Sequence, residues 1–401
     1  MQETLNTRGF RALGLTASLL SLIDRLGFDT PTPIQLEAIP PASNGRDIVG
    51  IAQTGTGKTL AFGLPMAMRL PKGEFGLVLA PTRELAIQIE ETFHQLEIKT
   101  ALLIGGAPMA KQVGQLRARP TVIVATPGRL LDHMSQRTID LRHTSIVVLD
   151  EADRMLDMGF APTIHKILDA TPSQRQTMLF SATMPKEIAA LAEKYLRKPL
   201  RIEATPPGTP VELIEQELVM VQKDDKPAML NSLLSENTGS VLVFARTRHG
   251  ARKIAKSIRS LGHTASEIHS DRTLAQRKAA LHGFKTGMFR ILVATDIAAR
   301  GIDVKDISLV LNYDVPENAE DYLHRIGRTG RAGASGRAIT LATPEQHKDV
   351  KDIERLLKAT LPISKRSKGS FETIRHEPAS FPARNARKNW RFSAPSKPRA
   401  R

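Results

Sequence analysis

Three groups of residues in this 401-residue chain have types and spacings that can do chemistry. The first is Ala52-Gln53-Thr54-Gly55-Thr56-Gly57-Lys58-Thr59. It follows an apolar, strand-like run and opens into a helical one, nearly the phosphate-loop pattern GxxxxGK[ST], with Ala52 where the first glycine is expected. Gly55 and Gly57 let the backbone turn its N–H groups inward around phosphate oxygens. Lys58 adds a cation at the β/γ positions of a nucleotide, and Thr59 offers its hydroxyl to Mg²⁺. The helix that begins there adds positive potential of its own. The second group, Asp150-Glu151-Ala152-Asp153, closes the apolar run 146–149. Alone, such a cluster is a solvated turn or a helix cap. At the end of a buried strand and downstream of a phosphate loop, Asp150 reads as the second support of Mg²⁺. Glu151 is then left to orient or deprotonate an attacking water. The third group is His324-Arg325-Ile326-Gly327-Arg328-Thr329-Gly330-Arg331. Arginines at spacing three, separated by glycines, can turn several guanidinium groups toward one anion. Supplied across a cleft, they stabilise the charge that develops in phosphoryl transfer.

Such groups need elements to hold them. Short apolar runs alternate with longer amphipathic stretches, the signature of βα units on parallel sheets. Buried strands are expected at 47–52, 76–80, 121–125, 146–149 and 177–180, and a second series at 240–245, 266–269, 290–294 and 308–312. Between the series lies Ala204-Thr-Pro-Pro-Gly-Thr-Pro210, which neither a helix nor a central strand accepts. The expected fold is therefore α/β, two lobes that are each a mostly parallel sheet flanked by helices. The expected boundaries are 1–203 for the first lobe, 204–212 for the linker, 213–360 for the second lobe and 361–401 for a tail. Ligands of such sheets bind beyond the strand C-termini, which puts the site in the cleft between the lobes.

Composition narrows the class. There is no cysteine, hence no disulfide framework, thiolate nucleophile or Cys-ligated zinc. No run approaches the length of a membrane span, and the N-terminus lacks the charged and apolar regions of a signal peptide, so a soluble, cytoplasmic protein without membrane association is expected. The net charge of +16 points to a polyanion. Much of it sits in 361–401, where eleven lysines and arginines face only Glu372 and Glu377. Prolines and the absence of apolar periodicity make this a disordered basic tail. A tail of that kind can be merely solubilising. Phe371, Phe381, Trp390 and Phe392, interleaved with arginines, point instead to nucleic acid, since aromatics stack on bases while cations hold phosphates.

Taken together, these motifs resemble the DEAD-box ATP-dependent RNA helicases over residues from about 10 to about 357. The Asp150–Asp153 match is literal, and Ala52 is an ordinary choice for this family's phosphate loop. The resemblance implies two RecA-like lobes with ATP and Mg²⁺ between them, ATP hydrolysis, and RNA as partner. Gly27–Gln35 looks like the family's Q motif, which implies that Gln35 hydrogen-bonds adenine and Phe28 packs on its ring; Phe10 resembles the isolated upstream aromatic. An amide offers both a donor and an acceptor, which suits an adenine edge. Pro81-Thr82-Arg83-Glu-Leu-Ala86, Gly105-Gly106 and Thr126-Pro127-Gly128-Arg129 look like the first lobe's RNA contacts. Ser181-Ala-Thr183, a turn as bare sequence, resembles with Asp153 the motif linking nucleotide state to lobe closure. In the second lobe the resemblance extends to Phe244–Arg248 and to Ala294–Asp303, placing Thr295 and Gly301 near RNA and Asp303 near the nucleotide sugar. Arg328 and Arg331 match the arginine fingers, and His324 and Arg325 the inter-lobe network. One departure stands out: Arg277 matches the arginine of the family's QxxR element, implying an RNA contact, but Leu274 replaces its glutamine.

The implied activity is ATP-dependent, sequence-nonspecific separation of RNA duplexes through backbone contacts. An ATP-gated RNA clamp or annealing chaperone, and a DNA-directed helicase on the same plan, are the alternatives. Ribosome assembly, mRNA decay and cold adaptation all suit such a chain, as do protein partners from those pathways. Its short N-terminal extension and basic tail look most like the bacterial RhlE-type branch.

Overall fold

The computed structural model describes residues 9–52, 55–204, 214–299, 304, 307–330 and 336–367. Two sheets organise it. The first has the order β3-β4-β2-β5-β6-β1-β7, with β1 Ile48–Ile51, β2 Phe75–Leu79, β3 Thr100–Leu103, β4 Val122–Ala125, β5 Thr144–Leu149, β6 Gln176–Ser181 and β7 Leu200–Glu203. The second has the order β10-β11-β9-β12-β13-β8, with β8 Ile214–Met220, β9 Val241–Phe244, β10 Ala265–Ile268, β11 Ile291–Ala294, β12 Leu309–Asn312 and β13 Gly336–Ala342. Neighbouring strands pair in parallel in both, so all strand C-termini of a sheet open on one edge.

Why these runs become central strands is visible in their side chains. Along β5, Ile146 and Val148 face one hydrophobic cluster, and Val147 and Leu149 the other. Met178 and Phe180 of β6 alternate with Leu179 in the same way. A period of two with both faces apolar is what a sheet covered by helices on each side requires. The second sheet repeats the arrangement, Leu242 and Phe244 facing one cluster and Val241 and Val243 the other.

The two-lobe α/β architecture expected from sequence is the one observed. The expected strands coincide with β1, β2, β4, β5, β6 and β9–β12 to within a few residues. Strands β3, β7, β8 and β13 complete the sheets at or near their edges. Ala204 still belongs to the first sheet, its N–H donating to Ile51 O at 3.0 Å; the rest of the linker lies outside the described residues. The tail boundary needs correction. Residues 361–367 do not start a tail; they lie along the open edge of β8. Leu361 is buried in the second lobe's core, Leu218 N donates to Pro362 O and Ser364 N to Leu218 O, both at 2.8 Å, and Met220 N donates to Ser367 Oγ at 3.0 Å. An unpaired sheet edge is a liability, and this segment covers it. Residues 368–401 lie outside the described part.

Candidate functional site

The phosphate loop leaves β1 and enters the helix Lys58–Arg69. Gly57 stands at φ +87°, and a Cβ there would meet Gln35 Nε2 at 2.4 Å, so only glycine serves. Gln35 braces the loop: its Oε1 accepts from Thr32 N at 2.9 Å, and its Nε2 donates to Gly57 O at 3.0 Å. Phe28 is exposed nearby in sequence, whereas Phe10 is buried in the first lobe's core cluster. Lys58 is buried, donating to Ala52 O at 3.0 Å and lying 4.0 Å from Asp150 Oδ1. Gly55, Thr56 and Thr59 complete the described part of the loop; Gln53 and Thr54 lie outside it.

Asp150 and Glu151 end β5 and are both buried, yet their charges are treated oppositely. Burial pushes the Asp150 carboxyl up to about 6, because nearby Lys58 offsets desolvation only in part. Glu151 feels the same desolvation, but Arg154, Lys58 and Arg328 outweigh it and hold its carboxyl down at about 2. The pairing with Arg154 is direct, Nη1 to Oε2 at 2.8 Å. Glu151 also occupies the left-handed region, φ +50°, as N-cap of the short helix Ala152–Asp157. A non-glycine residue held there costs about 1–3 kcal/mol. Asp153 reaches the neighbouring strand: its N–H donates to Ser181 Oγ, and its Oδ2 accepts from Ala182 N, Thr183 N and Thr183 Oγ1 at 2.9–3.1 Å. Asp153, Ser181 and Thr183, grouped from the motif resemblance, are thus one hydrogen-bonded unit across β5 and β6.

The remaining first-lobe candidates gather at the other half of the same sheet edge, after β2, β3 and β4. Thr82 caps the helix Arg83–Gln95, its Oγ1 accepting from Leu85 N, with Pro81 buried before it. The Arg83 guanidinium lies against Gly105 and Gly106; at Gly106, φ +81°, a Cβ would meet Arg83 Nη1 at 2.4 Å. Thr126, Pro127 and Gly128 start the helix Pro127–Ser135, and Arg129 Nη1 donates to Ala107 O at 2.9 Å. A buried Gln112 donates to Ile104 O and Ala107 O and meets His133 Nε2 at 3.2 Å. The sheet order therefore separates two groups of candidates along one edge. The phosphate loop and the carboxylates sit at β1, β5 and β6, and backbone N–H groups flanked by arginines sit at β2, β3 and β4.

In the second lobe, Arg328 is buried, donates from Nε to His324 O at 3.1 Å and lies close enough to Glu151 to lower its pKa. Arg325 is different. The resemblance placed it in an inter-lobe network, but among the described residues its partners all belong to the second lobe: Asp296 at 2.5 and 2.8 Å, Asn312 Oδ1, Asp314 O and the face of Phe244. A fully buried guanidinium needs most of its donors used, and this lobe supplies the acceptors itself. His324 Nδ1 lies 3.9 Å from Asp321. Thr295 follows β11 at the cleft edge. Gly301, Asp303 and Arg331 lie outside the described residues.

Comparison with known proteins places this geometry. Residues 32–191 match the family model of DEAD/DEAH box helicases, and residues 225–333 that of the helicase conserved C-terminal domain. The DEAD-box ATP-dependent RNA helicase CshA of Bacillus cereus is 43% identical over 357 residues, 87% of this chain and 68% of the relative. The chain is a DEAD-box ATP-dependent RNA helicase, an ATP-hydrolysing enzyme. The ATP-dependent rRNA helicase rrp3 of Sclerotinia sclerotiorum is 41% identical over 94% of this chain and 79% of its own length. Among solved structures, Dbp5 of S. cerevisiae bound to RNA and ADP BeF3 gives a TM-score of 0.77 at 30% identity, covering 89% of this chain and 95% of Dbp5. A DEAD box protein of Methanococcus jannaschii gives 0.52 at 38% identity, covering 89% and 99%.

The helicase departs from the sequence expectation at Arg277. The resemblance implied an RNA contact, but here its Nη2 meets Glu84 Oε2 of the first lobe at 2.6 Å, with both side chains buried. A buried carboxylate demands a cation, and Arg277 supplies it. Leu274, standing where the family has glutamine, packs against the first lobe's hydrophobic cluster. Gln276 closes a capping box with Thr273 at the start of the helix Leu274–Lys285. Beside this pair a cavity of ≈ 340 Å³ separates Glu84 and Glu91 on one lobe from Lys278, His282 and Lys285 on the other. Sequence reasoning also missed Arg154, Gln112 and His133. Arg154 was findable, since a cation three residues after Glu151 on a helix faces it; the bracing by Gln112 and His133 is tertiary and had no local signal.

Proposed function

We propose that this helicase hydrolyses ATP in the cleft between its lobes, and that ATP and a single RNA strand jointly favour lobe closure. The observation that carries the reading is the convergence on Glu151 of Lys58 and Arg154 from the first lobe and Arg328 from the second. A carboxylate kept ionised among cations accepts a hydrogen bond from the attacking water and so orients it, while Arg328 remains beside the transferring phosphoryl group. Arg331 is assigned the same task and Asp303 the sugar. Gln35 retains one amide hydrogen and one acceptor lone pair for the adenine edge, with Phe28 against the ring.

Thr59 and Asp150 are the residues that would hold Mg²⁺. Both offer hard oxygens, and the elevated Asp150 carboxyl marks a buried acid short of positive charge. When bound, the ion would neutralise charge on the β- and γ-phosphates.

The loops after β2, β3 and β4 supply N–H groups, Arg83 and Arg129 to an RNA backbone, with Thr295 assigned to the same strand, as is Gly301 from the motif resemblance, so little sequence preference is expected. The higher structural similarity to RNA- and ADP BeF3-bound Dbp5, despite lower identity, supports a closed arrangement of this kind. Asp153, Ser181 and Thr183 are read as the link between nucleotide and closure. The basic tail anchors the enzyme to RNA in the cytoplasm. No helix among the described residues is long and apolar enough to cross a membrane.

The test is steady-state ATP hydrolysis without nucleic acid, with single-stranded RNA, and with the same sequence as DNA. Stimulation by RNA alone is expected. Equal stimulation by DNA would overturn the substrate class, and no stimulation despite tight binding would overturn the coupling.

A further inference from the structure

The helix Arg248–Ser260 buries Ala251, Ile254, Ala255 and Ile258 on the face of the second sheet opposite the Leu274–Lys285 helix. Its other side carries Arg248, His249, Arg252, Lys253, Lys256 and Arg259, all exposed. None of its 13 residues is acidic. That composition works against the helix itself. Cations in the first turn oppose the macrodipole. Arg248 and Arg252, and Arg252 and Lys256, are like charges four residues apart, where helical neighbours repel most. Relief from within the protein is partial: Asp271 takes Arg248 at 2.6 Å and Arg252 at 3.5 Å, and Glu267 takes Arg259 at 2.9 Å. No carboxylate among the described residues pairs with Lys253 or Lys256. A surface that breaks local stability rules in this concerted way is expected where function requires it.

We propose that this face is a second track for RNA, taking the sugar–phosphate backbone of a strand after it leaves the cleft. The helix begins just beyond the C-terminal end of β9, on the edge of the sheet that opens to the cleft, and runs outward from there. From residue 248 to residue 259 it advances about 17 Å, room for several successive phosphates. Lysine and arginine contacts to phosphate carry no sequence information, in keeping with an enzyme that acts on many RNAs. An acidic protein would answer the same charge, but continuity with the cleft favours the strand already held there. The proposal deepens the RNA reading above and rests on it.

The experiment compares the full-length enzyme with Lys253→Gln/Lys256→Gln, and with Lys253→Arg/Lys256→Arg as charge-preserving control. Affinity for a long single-stranded RNA and for one of about eight nucleotides, within the usual site size of a single-strand groove, is followed against salt. For the long RNA, the Gln variant is expected to bind about five- to twentyfold more weakly at low salt, with a log–log salt slope shallower by about 1.4, the arginine control matching wild type. Binding of the short RNA and its stimulation of ATP hydrolysis should be unchanged. Identical slopes for wild type and the Gln variant on long RNA would overturn the track, an acidic protein partner then being the alternative. So would an equal loss on the short RNA. Failure of short RNA to stimulate even the wild-type enzyme would instead strike the underlying RNA reading.

Discussion

Glu151 is held by three independent constraints: a left-handed backbone, burial at the end of β5, and the ion pair to Arg154. Each fixes a different degree of freedom, so the carboxylate has one position and one charge state. Replacing it with glutamine keeps the size but removes the charge that, on the proposed role, orients the attacking water. Turnover of Glu151→Gln should fall by at least about 100-fold, within the range for a positioned acid–base group, with ATP and RNA still bound. Normal hydrolysis by that variant would end the assignment. Through its ion pair with Glu151, Arg154 is proposed to act one step away, as a positioning residue. Arg154→Ala should lower kcat by about tenfold or more while KM for ATP changes little, because a displaced base affects the chemical step rather than nucleotide binding. Partial recovery of kcat in Arg154→Lys distinguishes this from a general packing loss.

At the scale of elements, the helices Arg83–Gln95 and Leu274–Lys285 meet through Glu84, Arg277 and Leu274. Breaking a buried ion pair by removing one partner costs about 3–5 kcal/mol where water cannot re-enter. Separating the lobes re-hydrates both groups, so the loss falls on the closed arrangement alone. Glu84→Gln is the discriminating variant. If Arg277 served RNA directly, removing the Glu84 charge would leave RNA binding intact or improve it. If the pair holds the lobes together, the RNA concentration for half-maximal ATPase should rise by about 100-fold or more, with RNA-free hydrolysis unaltered. A second element-level prediction concerns β10, where Glu267 is buried between Arg259 and Arg272. Burial alone would raise its pKa, but hydrogen bonds from Arg272 and Arg259 win and lower it. A depressed carboxylate contributes stability that is present above its unfolded value near 4.5 and is lost as pH falls through the folded one. Glu267→Gln should therefore cost about 1–3 kcal/mol at pH 7, on the scale of hydrogen bonds to a charged group. The difference should shrink below pH 4.5 in urea titrations; a pH-independent difference would contradict the ion-pair origin. Such contacts mark where sequence reading ends. Apolar runs such as Ile146–Leu149 announce central strands, because burial on both faces leaves no freedom of composition. Strand β8, Ile-Glu-Gln-Glu-Leu-Val-Met, is half polar because it lies at the sheet edge, and so gives no comparable signal. Lys58, Asp150 and Glu151 were legible because their spacing is local. The Glu84–Arg277 pair joins residues 193 positions apart and could only be read in three dimensions.

For the whole molecule, the question is where the folded enzyme stops and the basic tail begins. Composition put that point at 361, but Leu361, Ser364 and Ser367 are structural parts of the second lobe, seated against β8. The Arg366–Glu236 ion pair fastens the same segment at a surface position. Two truncations that differ by only these residues should therefore fail in different ways. Ending the chain after Ser367 removes nine of the eleven cations of the last 41 residues, together with all four aromatics, while leaving the β8 edge covered. Its thermal midpoint should match the full chain, while RNA affinity falls and its salt dependence flattens, since fewer counterions are released. Ending it after Thr360 additionally strips Pro362 and Ser364 from the backbone of Leu218 and the Ser367 hydroxyl from Met220 N, and uncovers Leu361's place in the core. Loss of the burial of one leucine alone is worth about 1.5–3 kcal/mol, so this variant should melt several degrees lower and aggregate through the bared edge. Thermal melts and salt-dependent RNA binding on the two truncations separate the roles. Equal midpoints would mean the 361–367 segment adds nothing to the lobe, and an unchanged salt slope after Ser367 would mean the tail does not hold RNA.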